Sequence, residues 1–226
     1  DQWVNHQIPW TDPRIRDAWQ MWGDIVYTDG YVPGGATAVL ATNFRDASYL
    51  PFQDPPQAAM YYEGDFVQGF LAARFPDQIA GQDYSFFPFP SIGPSPPISP
   101  APPSPAGPAS QRAITGGADL VMAFNDTPVV RSFVSYLATP EAQTIWVMRG
   151  GFTSVNTAVD LNAYPDDLAR KSAQDLLNAS LFRFGAGDLM PPGVQSAWWS
   201  GILLYLQDRN ALDSILQGIE NIAVTA

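Results

Sequence analysis

Apolar residues recur at helical spacing in five clear stretches of this chain, against three short runs that read as strands. Between Thr11-Asp12-Pro13 and Asp29-Gly30, Ile15, Ala18, Trp19, Trp22 and Val26 fall at i, i+3/4, i+7 and i+11, which predicts an amphipathic helix. Its tryptophans belong with the core, because rings on a helical stripe usually pack. Asn125, Asp126 or Thr127 caps a second helix that begins with Pro128 and turns Val130, Phe133, Val134 and Leu137 to one side. Thr139-Pro140-Glu141 starts a third with Ile145 and Trp146 inward, closed by Arg149-Gly150-Gly151. Tyr164-Pro165-Asp166-Asp167 opens a helix burying Ala169, Ala173, Leu176 and Leu177, and further helices are predicted over 196–207 and around Leu212, Ile215, Leu216 and Ile219. Weaker signals place a short helix at 36–43 and one after Gly64 carrying Phe66, Phe70 and Leu71, with Asp65 as its cap. The strand-like runs are 58–62, 84–88 and 117–123. The fold class is therefore α/β and helix-rich.

The chain has 226 residues, 46% of them hydrophobic, enough for a sizeable core in one large domain or two small ones. No run approaches the roughly 20 apolar residues of a membrane span. A formal net charge of -11, with ten arginines and Lys171 spread singly, argues against nucleic acid and against an acidic membrane surface. Without cysteine there are no disulfides and no thiolate ligands or nucleophiles. His6 is the single histidine and has no nucleophile motif near it, and no metal, phosphate-loop or dinucleotide spacing is present. With 22 acidic residues, any pair could be imagined as a glycosidase couple, so that signal selects nothing. Neither catalysis nor a cofactor is expected.

Three separated motifs stand in a definite order. Ala59-Met60-Tyr61-Tyr62-Glu63-Gly64-Asp65-Phe66 comes first, then the stretch from Gly116 to Asn156 with its Gly150-Gly151-Phe152 turn, then Asp188-Leu189-Met190-Pro191 followed by Ala197-Trp198-Trp199. Together they resemble the extracellular solute-binding proteins of sugar-importing ABC transporters, the alpha-glucoside type most nearly. The resemblance spans most of the chain and matches the second half of such a protein. It implies a periplasmic-binding-protein-like fold of type II, here incomplete, as the second half of a two-lobe binder that closes around its ligand. Asp1 leads straight into Trp3 and Val4 without a signal peptide, so the chain is either a mature or a truncated form, and the resemblance to only the second half of such a protein implies the truncated one. The resemblance further implies a place in the periplasm or at the cell surface, with a lipid anchor in the full-length protein. Neutral sugars and ABC permease subunits are the implied partners.

Proline marks the organisation. Pro94, Pro96, Pro97, Pro100, Pro102, Pro103, Pro105 and Pro108 forbid helix or central strand, so 91–115 reads as a linker or loop between a lobe segment, 1–90, and a hinge strand with C-terminal helices, 116–226.

A sugar offers an apolar ring face bounded by hydroxyls, and its site needs flat aromatic rings beside hydrogen-bonding groups. The resemblance makes Phe66 a floor for the sugar and Asp65 a hydroxyl acceptor; core packing and helix capping are equally open readings for the two. It lends Gly151 and Phe152 backbone and edge contacts, and Arg183 a place in a loop reaching toward the pocket. Successive helical positions point about 100° apart, so of Trp198 and Trp199 one ring can pack while the other faces a cleft. Trp199 is the expected platform and Trp198 its support, with both rings in the core as the alternative. A second functional reading is a truncated binder-fold module serving as a structural or assembly component, which binds a protein partner through exposed interlobe surface.

Overall fold

The computed structural model describes residues 2–89 and 113–226. The proline-rich stretch at 91–110 lies outside them. In chain order the described helices are α1 (Pro13–Tyr27), α2 (Gly35–Ala41), α3 (Phe44–Ser48), α4 (Val67–Arg74), α5 (Pro128–Leu137), α6 (Pro140–Val147), α7 (Asp167–Leu177), α8 (Pro192–Gln207) and α9 (Leu212–Ala223). The strands are β1 (Ala113–Gly116) and β2 (Leu181–Phe184), paired with each other. The chain divides into two compact units, Asp1–Tyr62 with Phe184–Ala226, and Glu63–Arg183.

The first unit is built on α1, α8 and α9. Asp12 caps α1 by accepting from the Arg14 backbone N–H at 2.9 Å, and Pro13 occupies the first turn, where a missing donor costs nothing. Ile15 and Trp19 of α1 then meet Val194 and Tyr205 of α8 and Leu212, Ile215, Leu216 and Ile219 of α9 in one buried cluster. Each aliphatic side chain so buried contributes about 1.5–3 kcal/mol relative to exposure. Tyr205 is the hub, completely buried, with Trp19 edge-on at 5.5 Å and Tyr27 at 6.1 Å. Glycine permits this approach: a Cβ on Gly23 would stand 2.2 Å from the Tyr205 hydroxyl. The N-terminal segment is tied down by Glu220 of α9, which accepts from the Trp10 backbone N–H at 2.7 Å and meets His6 Nε2 at 3.1 Å.

The second unit carries α4 to α7 and nearly all of the two-stranded sheet. Threonines cap α5 and α6, Thr127 accepting from Val130 N–H at 3.2 Å and Thr139 from Ala142 N–H at 3.3 Å. Asp166 caps α7, accepting from Ala169 N–H at 2.8 Å. Val147, Val159, Tyr164, Ala169 and Ala173 form the buried cluster.

The expected helices are present, but the three expected strands are not. Residues 58–62 form no ladder, and Met60 and Tyr62 are 70% and 78% exposed, so no buried face exists to fix a register. Residues 84–88 form no strand beyond an isolated bridge from Tyr84 to Ala80, and the Phe86 carbonyl that a ladder would use instead accepts from Lys171 Nζ at 2.8 Å. The run 117–123 is exposed coil, and the strand lies just before it in β1, which finds its partner in β2. That pairing places Arg183 on a strand, followed by a short 3-10 turn, where the resemblance put it in a loop. In α6 the inward face belongs to Gln143 and Val147, one turn apart, while Ile145 and Trp146 turn outward. Leu177, the last residue of α7, is exposed as well.

Candidate functional site

In the second unit, four expected site residues gather around one turn. After α6 the chain must reverse, and Gly150 and Gly151 do this with φ of 79° and 69°, a region that side chains disfavour. Gly151 also lies against α4: a Cβ there would stand 3.3 Å from the Gly69 Cα. The next residue, Phe152, lays its ring flat on Trp146, with centroids 4.6 Å apart and planes 9° from parallel.

Thr153 comes next, and its hydroxyl donates to Asp65 Oδ2 at 2.5 Å. Ser172 of α7 donates to the same oxygen at 2.6 Å. Asp65 is therefore not the cap of α4. Phe66 holds that position without a side-chain bond, because the carboxylate is drawn to the two hydroxyls. Asp65 is exposed, and its Oδ1 has no hydrogen bond among the described residues. Phe66 is exposed and stands edge-on to Phe70 at 5.8 Å. Beneath the turn, Ser154 donates through its hydroxyl to Gln143 Oε1 at 2.5 Å and through its backbone N–H to the Tyr164 hydroxyl at 3.1 Å. All three of these residues are buried, so the base of the turn is fully hydrogen-bonded.

Arg183 lies on β2, where its Nη1 donates to the Phe182 carbonyl at 3.0 Å. Lys171, beside Ser172 on α7, holds its ammonium 4.2 Å from the Phe86 ring centre.

Trp198 and Trp199 belong to the first unit. Trp198 packs against the core, its ring 5.6 Å from that of Trp3 and nearly perpendicular to it. Trp199, one position on, is 52% exposed. Gly187 makes room for both, since a Cβ there would meet Trp198 Cζ3 at 2.7 Å and Trp199 Nε1 at 3.4 Å.

Thr153, Ser172 and Trp146 were not expected as site residues, Trp146 having been read as inward packing. Only Thr153 had a local signal, its place directly after Gly-Gly-Phe. No group of three metal-ligating side chains occurs among the described residues, and none of the described helices is long and apolar enough to cross a membrane.

Acidic and aromatic groups thus gather around one backbone turn, and comparison with known proteins finds relatives along nearly the whole chain. Its similarity to two curated solute-binding proteins fits the C-terminal part of such a protein. It is 34% identical over 207 residues to the osmoprotective compounds-binding protein GgtB of Synechocystis sp., covering 91% of this chain and 45% of the relative. It is 30% identical over 215 residues to the alpha-glucosides-binding periplasmic protein AglE of Rhizobium meliloti, covering 94% of this chain and 43% of the relative. The chain thus spans somewhat less than half the length of these curated relatives. No protein-family profile matches it, and no solved structure does.

Proposed function

We propose that the full-length protein binds a neutral sugar or oligosaccharide of the alpha-glucoside class outside the cytoplasmic membrane and hands it unchanged to an ABC permease. The observation that carries this reading is the exposed Asp65 carboxylate, which takes two hydroxyl donors on one oxygen, one of them from Thr153, the residue after the Phe152 ring. A carboxylate accepts from sugar hydroxyls and an aromatic ring covers the apolar face of a pyranose. The names of the two relatives point the same way. In this reading Asp65 and the Gly151-Phe152 turn contact ligand, Phe66 and Trp199 stack on sugar rings, Trp198 supports Trp199, and Arg183 lies near the pocket. The chain is then the second half of a type II, two-lobe binder, lipid-anchored when complete, with 91–115 joining the segments 1–90 and 116–226. Isothermal titration of the full-length protein with maltose, maltotriose and trehalose tests the proposal; saturable heat with at least one is expected, and no heat with any neutral sugar refutes it.

A second reading, a structural or assembly module, draws on the apolar surface at Leu120, Val121, Met122 and Phe124, the last 95% exposed. Sedimentation of this chain decides it: concentration-dependent association lost in Phe124→Ser supports assembly, and a monomer at all concentrations opposes it.

A further inference from the structure

We infer that Trp146, Tyr136 and Arg149 form a second stacking subsite, which takes a further pyranose ring of an oligosaccharide next to the Phe152 turn. The inference rests on the sugar-binding reading and extends it to residues of α5 and α6.

The outward face of α6 is unexpected for a helix in an apolar sequence. Trp146 is 49% exposed, although one face of its ring is covered by Phe152 at 4.6 Å. The indole is therefore held flat by a partner while remaining half open. A platform fixed in advance loses little side-chain freedom when a ring settles on it. Trp146, Tyr136, Leu137, Ala142, Ile145 and Arg149 line a groove of about 390 Å³ between α5 and α6.

Arg149 supplies the polar half. Arg14, Arg16, Arg131, Arg170 and Arg209 each pair with an aspartate, whereas the Arg149 side chain has no hydrogen bond or ion pair among the described residues. Its planar fork of donors matches two neighbouring hydroxyl oxygens as it matches the two oxygens of a carboxylate. Its position just beyond α6 also favours the negative helix end, but that role needs only the charge and not a place on the groove wall. Asp65 and Arg149 then have complementary tasks, one accepting from hydroxyls and the other donating to them. They are joined by continuous contact from Asp65 through Thr153 and Phe152 to Trp146.

The test is titration of the full-length protein with maltose and maltotriose, for wild type, Trp146→Ala, Trp146→Phe and Arg149→Gln, with a melting curve for each. The expected result is a maltotriose affinity about tenfold to a hundredfold weaker in Trp146→Ala, by analogy with ring stacking in other systems. It is largely restored in Trp146→Phe and weakened severalfold in Arg149→Gln, with melting temperatures close to wild type. Wild-type affinity in both Trp146→Ala and Arg149→Gln overturns the subsite and leaves the sugar reading standing. Absence of binding by wild type overturns both. Should Trp146→Ala melt early, Arg149→Gln decides, since that side chain has no hydrogen bond or ion pair among the described residues.

Discussion

Replacing Gly23 by alanine tests how tightly α1 and α8 are joined. The new Cβ would stand 2.2 Å from the Tyr205 hydroxyl oxygen, 2.9 Å from Cζ and 3.0 Å from Cε1. Alanine gains about 1 kcal/mol over glycine in a helix interior. Overpacking costs about 1–3 kcal/mol, and here the upper end applies because the fully buried Tyr205 is boxed in by Trp19 and Tyr27. The net expectation is a loss of about 1–2 kcal/mol, or roughly 2–8 °C in Tm for a chain of this size. Tyr205→Phe deletes the oxygen and relaxes the nearest contact to 2.9 Å. That hydroxyl is buried without a hydrogen bond, and burial pushes its pKa up against the opposing pull of Arg209, so its removal should be neutral or stabilising. Urea unfolding followed by tryptophan fluorescence on all four members of the cycle should show a coupling of about 1 kcal/mol or more. Additivity within about 0.3 kcal/mol, or a Gly23→Ala protein more stable than wild type, refutes the reasoning.

Gly151→Ala combines an unfavourable φ of 69° with a 3.3 Å approach to Gly69, and should destabilise by about 1–3 kcal/mol in thermal melts; an unchanged Tm speaks against the turn geometry. Trp198→Ala should lower stability by about 3 kcal/mol through lost core packing, while Trp199→Ala, half exposed, should leave Tm nearly unchanged and weaken sugar binding if it is a platform. Hydrogen bonds from the Arg14 side chain and backbone hold Asp12 at a pKa of about 2 against an ordinary 3.8, and Arg16 and Arg131 lower Asp213 and Asp126. A carboxylate whose folded pKa is depressed stabilises above its unfolded pKa and loses that contribution as pH falls through the folded one, so Tm should drop between pH 4 and 2, and less steeply in Asp12→Asn.

Helices were legible in this sequence because their signals are local. Thr127, Thr139 and Asp166 each accept from an N–H three residues on, and Pro128 and Pro140 sit directly behind their caps. Strands were not legible, because a ladder needs a partner that can lie anywhere. β1 and β2 are separated by α5, α6 and α7, and neither shows an alternation strong enough to outrank the more apolar run after Gly117. The inward face of α6 escaped for a different reason. Nothing local says that Gln143 should be buried in preference to Trp146; it is buried because Ser154, after the turn, satisfies its amide oxygen.

The candidate site divides along the same line. The Gly-Gly-Phe turn could be read directly, whereas its consequence could not: Thr153 and Ser172 reach Asp65 across 88 and 107 residues. Once formed, the turn leaves little freedom to residues 152–154. Gly150 and Gly151 set the direction of the chain, Ser154 anchors it to Gln143 and Tyr164, and between these fixed points Phe152 is laid on Trp146 while Thr153 is brought to Asp65. The stacked ring pair and the Asp65 carboxylate are thereby positioned by one backbone feature. Loosening Ser154 or Gly151 should therefore weaken ligand binding and stability together, whereas Trp146→Ala and Arg149→Gln should separate the two.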